Sequence, residues 1–253
     1  MTTPGSPDGR DLRLHGQTVV LVGGSAGIGR ETARLARTEG AEVVLTGRDP
    51  GRLRDAAADV GASGTAAFDA TDPERLRRFF AELPRVDHVM VTAGGNYYAR
   101  LADLDFAEAQ RQVDEHLWLP IRIALAVAGR MPDGGSLVFM GGTGARRPAL
   151  GLAVSSPLTV ALPALTAVLA LEVAPIRVNL IAAGFVDTPL SARLLGDQLE
   201  QRREQLRATL PIGRVVQPGD VAALAVHLMT NTALTGGTYD IDGGQQALPS
   251  PGG

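Results

Sequence analysis

The sequence predicts an α/β fold in which a parallel sheet of seven strands is doubly wound, with helices on both faces. Three observations carry that reading. Short apolar runs, several β-branched and free of charge, alternate with longer helical segments along the chain, as strands covered on both faces require. A glycine-rich loop, Gly23 to Gly29, follows the first apolar run directly and opens a helix. The 253 residues, 45% hydrophobic and 20% charged, have the composition of a packed globular unit.

The strand candidates, in order, are 18–22, 42–46, 65–68, 88–91, 136–140, 177–181 and 238–241. Between them the spacing predicts helices over 27–39, 50–60, 73–83, 104–130, 157–172 and 218–230. The starts of two are marked by proline in a first turn: Pro73 after Thr71 and Asp72, and Pro218 before Asp220. Ser155 and Thr159 stand where they could cap a helix beginning at Pro157. Pro163 falls inside that helix, where it costs ~3 kcal/mol unless the helix kinks or starts late. Segment 190–210 is charged and amphipathic and follows a late strand, so it reads as one or two inserted helices over the carboxyl ends of the strands. It is a candidate substrate lid or a solvated surface helix. Nothing divides the chain, and 1–253 reads as a single domain with tails at 1–10 and 246–253.

Composition excludes several chemistries. All 24 basic residues are arginine, and there is no cysteine. Schiff-base and phosphate-loop lysines, thiol nucleophiles, zinc thiolates and disulfides are therefore absent. A formal net charge of −3 argues against nucleic acid or an anionic membrane surface as the partner. The four histidines are scattered and give no metal-ligand spacing. No charge occurs between Arg147 and Glu172, but the embedded Ser, Thr and Pro residues favour a buried helix over a membrane span. Residues 1–10 hold no apolar core of a signal peptide, so the expected location is cytoplasmic.

The loop Gly23-Gly24-Ser25-Ala26-Gly27-Ile28-Gly29 gives a tight strand-to-helix turn and a close approach for a pyrophosphate. Together with Asp69-Ala70, Thr92-Ala93-Gly94, Arg177-Val178-Asn179, the loop from Ala183 to Pro189 and Asp242-Gly243-Gly244, it resembles the short-chain dehydrogenase/reductase family. The match runs over about residues 14 to 245, with Val22 and Ala183 departing from the family's Thr and Pro. The resemblance implies a Rossmann-type dinucleotide-binding domain, a small-molecule substrate or ligand, and a homodimer or homotetramer. It also implies a cofactor site of Gly23, Ser25, Ala26, Gly27, Ile28, Gly29, Arg48, Asp69, Ala70, Ala93, Gly94, Gly184, Val186 and Thr188, with no metal. Gly47 takes the place of the acid that holds a ribose 2′-hydroxyl and Arg48 follows it, which favours NADP(H) over NAD(H). Asp49 argues the other way.

The family's proton relay of Ser, Tyr and Lys is missing. Its positions fall on Gly142, Ser155 and Thr159, and the family's Asn position falls on His116. The tyrosines are Tyr97, Tyr98 and Tyr239. Of these, Tyr97 and Tyr98 follow the fourth strand and are expected on the nicotinamide side; with His116 they are the candidate proton donors. Thr143, Arg146 and Arg147 could hold an anionic substrate or face solvent. Two functions remain open: an NADP(H)-dependent oxidoreductase acting on a carbonyl, alcohol or related small molecule through a non-standard proton donor, and a catalytically silent NADP(H)-binding protein serving as sensor or partner subunit.

Overall fold

Residues 12–248 are described by the structure, a computed structural model. Strands β1 (Thr18–Val22), β2 (Glu42–Gly47), β3 (Gly64–Ala67), β4 (His88–Val91), β5 (Ser136–Gly142), β6 (Arg177–Ala183) and β7 (Thr238–Ile241) form one sheet, ordered β3-β2-β1-β4-β5-β6-β7. Every pairing between them is parallel. Parallel neighbours need crossovers, and helices supply them. These are α1 (Gly27–Thr38), α2 (Pro50–Val60), α3 (Pro73–Glu82), α4 (Phe106–Val113), α5 (Leu119–Val127), α6 (Ser155–Glu172), α7 (Pro189–Leu195), α8 (Leu199–Thr209) and α9 (Pro218–Thr230).

Alternation along the strands divides the core. Val20, Val22, Val89, Val91, Leu137 and Phe139 meet Leu76 and Phe80 of α3, Ile123 of α5 and Leu162 of α6. Val19, Leu21, Met90 and Val138 on the opposite face meet Ala33 of α1, Leu53 of α2 and Val221 of α9. Each fully buried large aliphatic or aromatic side chain is worth ~1.5–3 kcal/mol relative to exposure. The alternating β-branched runs thus supply both faces at once, which is why they carry no charge.

The structure departs from the sequence expectations at four places. β5 and β6 each run two residues further, because Gly141 and Gly142 pair with Ala182 and Ala183. The expected helix over 104–130 runs without interruption from 106 to 127, but it is not regular: α4 passes into a π-helical turn, Asp114–Trp118, in which the Leu119 N–H donates to the Asp114 carbonyl, and α5 follows with Pro120 in its first turn. Pro120 has no N–H to continue a regular ladder. α6 begins at Ser155, has no side-chain cap and stays helical through Pro163. Its inner face packs on β5 and β6, but Val160, Val168 and Leu171 are 63%, 49% and 81% exposed, so the buried helix expected is buried along one face only. By length and composition it could cross a membrane. Finally, 246–248 do not behave as a tail. Arg147 donates to the carbonyls of Gln246 and Leu248, and Gln246 donates to Thr143. The expected tails at 1–10 and 249–253 lie outside the described residues.

Candidate functional site

A cleft of about 880 Å³ opens where β1 and β4 diverge toward opposite halves of the sheet, the switch point at which such sheets bind ligands. Gly23 (φ 102°) carries the chain out of β1. A Cβ there would stand 2.4 Å from the Ala93 amide nitrogen, and one on Gly29 would stand 2.5 Å from the Gly23 carbonyl oxygen. The two glycines let α1 start hard against the loop after β4. The Thr92 hydroxyl locks the junction by donating to the Gly23 carbonyl at 3.0 Å.

The amino end of α1 differs from its neighbours. Asp49, Asp72 and Asp105 cap α2, α3 and α4. α1 has no side-chain cap and no acid in its first turn. Its first-turn N–H groups and positive dipole end therefore have no side-chain acceptor where they meet the cleft. A pyrophosphate fits that arrangement.

All fourteen residues that the resemblance assigns to a cofactor line this cleft. Arg48, exposed past the end of β2, is in no ion pair among the described residues. Asp49 beside it accepts from the amides of Gly51 and Arg52 at 2.8 and 3.0 Å through one oxygen, and those bonds hold its carboxyl below the ordinary value. Asp69 accepts from the amide and hydroxyl of Thr71 and from Arg111 at 3.1 Å. Burial pushes its pKa up, but these partners outweigh it and the net shift is downward. Arg111 also reaches Glu115 at 3.2 Å, and Glu115 accepts from the Gly95 amide at 2.8 Å. One guanidinium thus ties Asp69 to the loop after β4.

The candidate proton donors separate. Tyr98 and His116 line the cleft, and Tyr97 does not. The Tyr97 hydroxyl instead accepts from the Asp105 amide at 2.7 Å, at the start of α4. Tyr98 is 53% exposed, and desolvation pushes its phenol above the ordinary value. His116 sits in the π-helical turn, and its Nδ1 pairs with the Gln112 carbonyl at 3.0 Å. A carbonyl only accepts, so Nδ1 is the donor, which makes Nε2 the acceptor nitrogen of the neutral ring.

At the relay positions, Gly142 ends β5 without a side chain, and Thr159 and Ser155 line the cleft. Ser155 is buried. It accepts from Gln112 Nε2 at 3.0 Å and donates to the Tyr97 carbonyl at 3.1 Å. It does not cap the helix. Arg146 and Arg147 are not free for a substrate: Arg146 grips Asp240 through two bonds of 2.5 and 2.7 Å, and Arg147 holds the carbonyls beyond β7. Thr143 is wholly buried, with an unpaired hydroxyl. Among the described residues no three acidic or histidine side chains gather as a metal site.

Sequence reasoning passed over Gln112, Glu115 and Arg52, all of which line the cleft. The i,i+4 pairs Arg111–Glu115 and Gln112–His116 were the available signal.

A family model described as "Enoyl-(Acyl carrier protein) reductase" matches residues 22–246. The chain belongs to the short-chain dehydrogenase/reductase family. It is 30% identical to the short-chain dehydrogenase/reductase ATR9 of Stachybotrys chlorohalonatus, over 91% of this chain and 97% of that protein. Its fold superposes on the MalC reductase/Diels-Alderase of Malbranchea aurantiaca with a TM-score of 0.87 and 25% identity, covering 94% and 99% of the two chains. BdcA in complex with NADPH matches with a TM-score of 0.82 and 27% identity, over 91% and 95%. As a short-chain dehydrogenase/reductase the chain falls among oxidoreductases whose relatives bind nicotinamide cofactors.

Proposed function

We propose that this protein is an NADP(H)-dependent oxidoreductase that interconverts a carbonyl and an alcohol, or a related small-molecule pair, without the family's Ser-Tyr-Lys relay. The observation that carries the reading is the uncapped amino end of α1, set in a glycine cradle at the switch point. When bound, the dinucleotide supplies or accepts the hydride. The glycine loop and α1 hold its pyrophosphate, and Asp69 and Ala70 flank the adenine. Gly184, Val186 and Thr188 close the nicotinamide side.

Arg48 supports the choice of NADP(H), being a guanidinium with no carboxylate partner at the end of β2. Asp49 has one oxygen committed to the α2 cap. His116 is the proposed proton donor. With Nδ1–H fixed on the Gln112 carbonyl, Nε2 exchanges the proton with the substrate oxygen. Buried Ser155 contributes structure, since its hydroxyl is given to the Tyr97 carbonyl. The apolar outer face of α6 suits a second copy of the chain, in keeping with a homo-oligomer in the cytoplasm.

Thermal-shift titration with NADP(H) and NAD(H) tests the cofactor assignment. NADPH should stabilise the protein more, and Arg48→Glu should reverse the order; no stabilisation by either dinucleotide refutes it. A carbonyl panel followed by NADPH absorbance then tests His116→Ala against Tyr98→Phe. The histidine variant should lose 10²-fold or more, about the usual contribution of a general acid. Turnover unchanged in His116→Ala removes the histidine from the mechanism.

A further inference from the structure

The charges that line the cleft are unevenly committed. Its carboxylates, Asp49, Asp69 and Glu115, are all engaged by backbone amides or by Arg111. Its arginines, Arg48, Arg52, Arg193 and Arg202, form no ion pair among the described residues. A chain with a net charge of −3 therefore opens its cleft onto unspent positive charge.

Those arginines lie in two places. Arg48 and Arg52 follow β2, whereas Arg193 of α7 and Arg202 of α8 follow β6. Four strand spacings separate β2 from β6, a span of roughly 19 Å at ~4.8 Å each. One phosphate cannot serve both pairs. Helix α8 makes the contrast sharper. Arg203 pairs with Asp187 at 2.7 Å and with Glu200 at 3.1 Å, and Arg207 also pairs with Glu200 at 3.1 Å. Arg202, the arginine of this helix that lines the cleft, reaches only the Gln205 amide oxygen at 2.7 Å. The same cleft is also lined by Phe185, by Leu190, Leu194 and Leu195 of α7, and by Leu152 and Leu158. Arg202 is half-buried and Arg193 exposed, and a charge in a partly apolar cleft attracts an anion more strongly than one in open water.

We infer that α7 and α8 form an anion subsite, and that the substrate is an apolar carbonyl or alcohol compound bearing a carboxylate or phosphate that Arg193 and Arg202 bind. The inference builds on the cofactor reading above. The cofactor's pyrophosphate is the competing anion, because a Cβ on Gly27 would lie 3.6 Å from Thr188, one turn before Arg193.

Calorimetric titration of the NADP⁺-loaded protein with octanoate, octyl phosphate and octan-1-ol tests the subsite. At least one of the two anions should bind about tenfold or more tighter than the alcohol. In Arg193→Met/Arg202→Met, which keeps apolar stems at both positions, that ratio should fall below about threefold while NADP⁺ affinity changes by less than about twofold. Equal binding of all three probes, or binding of none, overturns the inference. So does a variant that loses NADP⁺ affinity but keeps the anion preference, since the arginines then belong to the cofactor. The same titration without dinucleotide separates the two readings: failure of NADP⁺ with anion preference retained removes the cofactor and leaves the subsite.

Discussion

The side-chain amide of Gln112 donates to the hydroxyl of Ser155 across 3.0 Å, with both residues buried. The amide occupies the hydroxyl's acceptor capacity, and the hydroxyl proton goes to the Tyr97 carbonyl. Ser155→Ala should strand a buried N–H and cost about 1–3 kcal/mol. Gln112→Leu/Ser155→Ala should recover part of that loss, because an apolar pair leaves nothing unsatisfied. Denaturant unfolding of both single variants and the double variant checks it; strict additivity would dissolve the coupling.

His88 predicts a pH dependence. Its Nδ1 meets Ser136 Oγ at 2.8 Å and its Nε2 meets Gln17 Oε1 at 2.6 Å. Burial pushes its pKa down to about 4. Between pH ~6.5 and ~4 the unfolded chain takes up a proton that the native imidazole refuses, so stability falls as the pH drops through that window. The full loss is ~3 kcal/mol. His88→Gln should flatten the unfolding free energy over the same range, whatever its cost at neutral pH.

At Gly29 a methyl group would meet backbone. Gly29→Ala should destabilise the fold by about 1–3 kcal/mol through overpacking and abolish the thermal shift given by NADPH. A variant with an unchanged melting temperature and intact NADPH binding would show that the junction of α1 with the loop after β4 can widen freely.

Arg177 is buried and donates to the carbonyls of Gly134, Leu228, Met229, Asn231 and Leu234. Three of those five follow one another around the end of α9. A lysine carries one compact ammonium and cannot fork. Arg177→Lys should therefore cost about 3 kcal/mol or more in chemical denaturation.

Much of the fold is visible in the residues themselves. β1, β4 and β7 begin and end where their apolar runs do, and α2 and α9 begin at Pro50 and Pro218. What the pattern misses is decided by neighbours. Gly141 and Gly142 are poor strand formers on their own, and extend β5 because β6 continues beside them. The π-helical turn inside the helix over 104–130 comes just before Pro120, and no periodicity announces it. At the site, the glycine loop is legible because glycine has a local reason to be there. Gln112, like any polar residue on an amphipathic helix, gains its meaning only when α6 brings Ser155 alongside. Arg146 looked free in one dimension because Asp240 lies 94 residues away.

A Cβ added at Gly27 would stand 3.6 Å from Thr188, so the loop after β1 lies beside the start of α7. Thr188 begins that helix with a capping box to Ser191, so the cap of α7 rests at the lip of the cradle. A ligand settled in the cradle would touch the turn from which α7 sets out.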